Sequence, residues 1–227
     1  MVTYFHLTFP EKEALRAEEM KGGVVPRIEA RACLVGKPHC AVYRRVSDLA
    51  LEVNHSDRGK LMIWPWLENC VVHEELLSQF RSANLTGYRT RPATLRFADG
   101  AVTAEYMELI VTGWAGVARP ESGIHVRNSC PACHWKEYTG LKDAEQLIDW
   151  QQWTGEDFFV VWPMANSILV TERVAELLMR LNIEDFELRG VDEVPPRVAQ
   201  SGFTVGRLSD SMPEDVALKY GVPLGLE

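Results

Sequence analysis

Two runs of alternating residues, Thr94-Leu95-Arg96-Phe97 and Val102 to Val111, stand on either side of Ala98-Asp99-Gly100. Asp-Gly supplies residues that tolerate positive φ where a tight antiparallel return needs them, and the flanking alternation sends side chains to two faces. A β-hairpin is therefore the firmest local expectation, and it draws the chain toward antiparallel sheet. Other stretches agree. Thr3 to Phe9 alternates as a half-buried strand and stops at Pro10, with a short helix expected through Glu18. Residues 41–54 and 61–67 hold β-branched and aromatic groups, and Pro65 confines the second run to an edge or irregular strand.

Helical spacing appears in three places. From His73 to Ala83, Leu76, Leu77 and Phe80 share one face, and Asn84 with Gly87 supplies the stop. Leu141 to Trp153 reads as a loosely amphipathic helix broken by Gly155. After two strands, Asp157 to Pro163 and Ser167 to Val170, the segment Thr171 to Asn182 carries Val174, Leu177, Leu178 and Leu181 at i, i+3, i+4 and i+7. Thr171 stands where it can cap the first turn, and Glu172 favours the positive end of the helix dipole. Phe186 to Leu188 reads as a short strand, and Pro195-Pro196 closes the compact part. The expected class is α+β, with antiparallel sheets, a few helices packed on one side, and a small zinc-knuckle element. Residues 1–120 and 121–195 are expected to pack as one unit. Residues 196–227, with a helical turn around Glu214 to Tyr220, form a tail over the body.

Composition narrows the function. With 46% hydrophobic and 25% charged residues in 227, the chain can bury a core and is not disordered. No apolar run approaches the roughly 18 residues that span a bilayer, and no secretory leader is legible, so the expected location is the cytoplasm and no membrane partner is expected. The net charge of −8 is uneven: residues 1–120 carry +1 and residues 121–227 carry −9. That balance argues against a nucleic-acid partner for the second half and suits a basic protein. Nucleophile elbow, dinucleotide fingerprint and P-loop patterns do not occur, and His73-Glu74-Glu75 has Leu77 where a zinc protease helix needs a second histidine.

Cys130-Pro131-Ala132-Cys133-His134 admits four readings. Two cysteines separated by two residues present two thiolates to one tetrahedral zinc ion, with Cys33 and Cys40 as candidates for the other ligands; four protein ligands would make the site structural. The pentapeptide also matches the c-type haem attachment pattern, which normally follows export. A redox dithiol is the third reading, although the motif lacks the preceding strand and βαβ context. The fourth is a pair of ordinary loop thiols. Trp150 and Trp153, beside Asp149, Glu156 and Asp157, are the candidates for a partner-binding surface, since tryptophan is enriched among interface hot spots.

The stretch from Cys130-Pro131-Ala132-Cys133 through Asp157-Phe158-Phe159 and Trp162-Pro163 to Val170-Thr171-Glu172-Arg173-Val174-Ala175-Glu176-Leu177-Leu178 resembles the bacterial double-CXXCG motif immunity proteins, over about residues 120 to 190. Two features depart from that pattern: the knuckle ends Cys133-His134 in place of Cys-Gly, and only Cys33 and Cys40 stand near the first knuckle's place. The resemblance implies a cytoplasmic antidote that binds a cognate toxin, of nuclease type, without doing chemistry. The rival expectation is a thiol- or metal-dependent enzyme using Cys130 or Cys133.

Overall fold

The computed structural model describes residues 3–10, 17–19, 28–31, 33, 35, 42–45, 48–53, 59–64, 70–190 and 202–227. In chain order the strands begin with β1 (Tyr4–Thr8), β2 (Ala17–Glu19), β3 (Ile28–Arg31), β4 (Val42–Arg45), β5 (Leu49–Val53), β6 (Met62–Ile63) and β7 (Cys70–His73). Helix α1 (Glu74–Ser82) precedes β8 (Tyr88–Phe97), β9 (Val102–Val111), β10 (Gly113–Val117), β11 (Val126–Ser129), β12 (Lys136–Tyr138), β13 (Phe158–Trp162) and β14 (Ile168–Thr171). Helix α2 (Glu172–Arg180), β15 (Glu187–Gly190), β16 (Phe203–Val205) and α3 (Glu214–Gly221) complete the strands and α-helices among the described residues.

These strands form a six-stranded sheet (β2-β5-β8-β9-β7-β6), a five-stranded sheet (β10-β13-β14-β1-β15), a three-stranded sheet (β11-β12-β16) and the β3-β4 pair. The α+β class holds. Pairing is mainly antiparallel, with two parallel exceptions, β5 on β8 and β10 on β13. The expected hairpin is β8-β9, longer than its alternation showed: Tyr88 pairs with Val111 at the far end. Pro92 sits inside β8 because β5 begins to pair only at Ala93, so its missing N–H interrupts no ladder on that side. Of the run expected over 61–67, Met62–Ile63 forms edge strand β6, and residues 65–67 lie outside the described residues.

Alternation in β6 and β7 divides the interior between two faces. Met62, Cys70 and Val72 join the main core, whereas Ile63 and Val71 join a smaller cluster with Leu51, Leu95, Phe97 and Tyr106. The main core also takes Phe80 from α1, Phe158 and Phe159 from β13, and Val174 and Leu178 from α2. β1 lies between β14 and β15, so residues 1–120 and 121–195 share one sheet. The C-terminal segment wraps the body as an integral layer. β16 extends the knuckle sheet through β12, Leu208, Met212, Val216 and Ala217 are buried, and the Tyr220 ring stacks on Trp114 at 5.6 Å.

Three expectations are corrected. Ala17–Glu19, the end of the helix expected after Pro10, is strand β2, because it pairs with β5; residues 11–16 lie outside the described residues. Leu141 to Trp153 is not a helix. Asp143 accepts from the Glu145 N–H and Asp149 from the Gln151 N–H, while the Lys142 and Asp143 N–H groups donate to the Ser122 carbonyl. Short acidic side chains thus capture backbone donors that a helix would use. Thr171 occupies the N-cap position of α2 without capping it, since its hydroxyl donates to Asp157 instead. In α1 the cap is His73, whose Nδ1 accepts from the Glu75 N–H. Asn84 and Asn182, just past the two helices, both take positive φ, a conformation asparagine tolerates better than most residues.

Candidate metal centre and acidic segment

β11 and β12 are antiparallel, with Ser129 opposite Lys136, and the knuckle is the turn that joins them. The Cys130 N–H donates to the Trp135 carbonyl at 2.8 Å, and the His134 N–H to the Cys130 carbonyl at 2.9 Å. His134 has φ of 63°. Histidine holds this left-handed conformation at a cost of order 1 kcal/mol that glycine would not carry.

The turn brings Cys130 and Cys133 to Cys33. The three sulfur atoms lie within 4.8 Å of one another, close enough to bind one metal ion, and the Cys33 and Cys130 sulfurs are 3.7 Å apart. Thiolates bound tetrahedrally to zinc at about 2.3 Å sit about 3.8 Å apart, whereas disulfide sulfurs sit about 2 Å apart. The spacing therefore fits two ligands of one ion. Cys33 and Cys130 are buried, Cys133 is half-buried, and Ala132 and Trp135 pack around them as an apolar wall. Cys40, expected as the fourth ligand, lies outside the described residues. Cys70 stands apart in the main core, where burial, and secondarily Glu108, pushes its thiol pKa well up and keeps it protonated.

The acidic segment follows the knuckle sheet. From Thr139 to Asp157 the chain has neither helix nor strand, yet it is pinned by Leu141, Leu147 and Ile148 in the core and by backbone bonds to Ser122, Arg119 and Trp114. Asp143 and Glu145 are exposed, and Asp149 and Glu156 are partly so. The Gln152 amide, then the Gln151 N–H, hold the Asp149 carboxyl below its usual range, with a smaller contribution from Arg119, so it stays ionised.

Trp150 and Trp153, expected as partner contacts, are half-buried against the core. Trp150 meets Tyr4 edge-on at 5.5 Å and Trp153 at 5.5 Å, and Trp153 packs on Phe159 at 5.8 Å. They anchor the acidic segment to β1 and β13. Asp157 is 3% exposed and faces inward. It accepts from the Thr86 N–H at 2.9 Å, the Thr171 hydroxyl at 3.0 Å and both ways from Arg173 Nη1 at 2.9 and 3.0 Å. Asp157 thus ties the α1–β8 connection to α2 and is not part of an outward acidic face. The burial follows from its place immediately before the fully buried β13, and the sequence signal for it was the unbroken apolar run that follows. Nothing in local spacing marked Thr86 and Arg173 as its partners.

A depression lined by His73, Phe97, Val102, Thr103, Glu105 and Tyr106 encloses about 170 Å³, below the ~300–1,000 Å³ typical of small-molecule sites. Among the described residues no helix is long and apolar enough to cross a membrane. Comparison of the chain with protein-family models and with curated proteins finds no match.

Proposed function

We propose that the chain is a toxin-neutralising binding protein that receives a basic partner on the acidic segment of its second half, with a structural zinc ion clamping the knuckle to Cys33. The observation that carries the reading is the order of that segment. A long stretch without helix or strand is held by core anchors and presents Asp143, Glu145, Asp149 and Glu156, with Lys142 as the one cation among residues 139–157. Long ordered loops are usually functional, and an ordered segment of net negative charge, even with Arg119 near Asp149 and Lys219 near Glu156, speeds capture of a basic partner while costing little conformational entropy on binding. The resemblance of residues 120–190 to immunity proteins supplies the partner class: a toxin made by the same cell, with a cationic cleft that the acidic face occludes.

Zinc fits the donor set. Soft thiolates select zinc over hard cations, and the 3.7 Å sulfur separation matches tetrahedral thiolate ligation. The clamp's role is mechanical. It joins residue 33 to a short three-stranded sheet whose first strand, β11, is fully exposed. Cys40 is the candidate for the remaining ligand.

The test is co-expression with the protein encoded beside this chain, followed by association kinetics on the purified pair and metal quantification. The expected result is growth rescue, one zinc per chain, and an association rate reduced about tenfold at low salt in Glu145→Lys/Glu156→Lys. Rescue and association unchanged in that variant would overturn the surface, and absence of any complex would overturn the antidote reading.

A further inference from the structure

The three clustered cysteines are unequal in burial. Cys33 and Cys130 are 8% and 4% exposed, whereas Cys133 is half-buried at the surface of the turn. The two buried sulfurs are 3.7 Å apart and all three lie within 4.8 Å. An accessible thiol beside two buried ones is an arrangement for taking up an oxidant at one sulfur and storing the oxidation at another. We propose that this cluster is an oxidation site for peroxides, in which Cys133 meets the oxidant and a Cys33–Cys130 disulfide is the stored product.

The steps balance within the cluster and one peroxide. The Cys133 thiolate attacks hydrogen peroxide, an S–O bond forms as the O–O bond breaks, and the departing hydroxide takes a proton to leave as water, giving a sulfenic acid. The Cys130 thiolate then attacks the Cys133 sulfur. An S–S bond replaces the S–O bond, and the second oxygen leaves as water with a proton. Finally the Cys33 thiolate attacks the Cys130 sulfur, forming Cys33–Cys130 and returning Cys133 as a thiolate. Two thiols lose two electrons in all, and the peroxide becomes two waters.

The last exchange is favoured by location. A Cys130–Cys133 bond would leave one sulfur within reach of small reductants, whereas Cys33 and Cys130 sit together behind Ala132 and Trp135. The product joins positions 97 residues apart, the same two chain segments that a bound metal would join. Cross-link and metal are therefore alternative fastenings of one joint. The inference rests on the proposed zinc site only in that oxidation of two ligands expels the ion; the disulfide itself stands on the sulfur positions.

The test treats the full reduced chain, as purified and after chelation, with one equivalent of hydrogen peroxide. The digest is then sequenced without reduction, and released zinc is measured alongside. The expected result is a link between Cys33 and Cys130, Cys133 open to alkylation afterwards, and zinc release from the metal-bearing sample. Cys133→Ser should slow the cross-link about tenfold by removing the accessible entry thiol, Cys130→Ser should abolish it, and Cys40→Ser should leave it unchanged. Circular dichroism confirms that each variant is folded, and Cys70, sealed in the core, serves as the internal unreactive thiol. A link through Cys40, a Cys130–Cys133 link alone, or three surviving thiols in the chelated sample would overturn the proposal. Cross-linking in protein that carries no zinc would remove the zinc reading and leave this one standing.

Discussion

His6 makes the stability of this protein fall as the solution becomes mildly acidic, by an amount that can be worked out. It lies on β1 between Leu169 of β14 and Arg189 of β15, and its Nδ1 is buried without a hydrogen-bond partner. Desolvation by burial, and then the charge of Arg189, lower its pKa from 6.5 to about 4. The unfolded chain therefore takes up the proton near its ordinary value and the folded chain only near the depressed one. Between them the unfolded state binds more protons, so stability is intact above about pH 6.5 and is lost on acidification. At about 1.4 kcal/mol per pH unit, the loss attributable to His6 is about 2 kcal/mol at pH 5 and about 3 kcal/mol near pH 4. Urea unfolding of the native chain and of His6→Gln, at steps from neutral pH downward, isolates this contribution, because carboxylates and other histidines titrate in both proteins. The difference in unfolding free energy between the two should shrink steadily as the pH falls. Curves that stay parallel through this window would refute the reasoning and place His6 in contact with water or with an acceptor.

Three further outcomes are expected. At Gly87 (φ +85°) a Cβ would meet the Phe158 carbonyl oxygen at 2.1 Å, so Gly87→Ala should cost about 3 kcal/mol or more in chemical unfolding; a loss under about 1 kcal/mol would show that β13 can shift away. Trp153→Ala should cost about 2–3 kcal/mol by opening space beside Trp150 and Phe159, whereas Trp153→Phe, which keeps a ring and removes an unpartnered indole N–H, should cost less than about 1 kcal/mol. Equal thermal stability in the native chain and Trp153→Ala would return that side chain to the surface. His134→Val places a β-branched residue at φ of 63° and should lower knuckle stability by about 1–2 kcal/mol, while His134→Gly should not lower it. Amide exchange at Cys130 and His134 reads the difference, and equal protection in both variants would refute the left-handed assignment.

Helices α1 and α2, the β8-β9 hairpin and the buried strand β13 were legible in the chain itself. Their signals are periodicities of two or three to four residues ended by Asp-Gly, Asn or Gly, and such signals depend on neighbours within one element. The Cys130-Pro131-Ala132-Cys133 knuckle was legible only as one of four readings, because two cysteines at that spacing also suit a helix N-terminus. Local spacing was misleading from Leu141 to Trp153, where apolar residues at helical intervals are recruited separately by the core and the acids take the backbone donors.

Tertiary structure alone decided what each marked residue does. Asp157 and Glu156 are adjacent acids in sequence, yet one is enclosed by Thr86, Thr171 and Arg173 and the other reaches the surface. Trp150 and Trp153 became anchors because β1, more than a hundred residues earlier, inserts beside β14 and puts Tyr4 against Trp150, while Phe159 of β13 meets Trp153. Cys33 found Cys130 across 97 residues for a related reason. Such pairings depend on where the chain closes long loops, and loop closure leaves no local residue pattern to read.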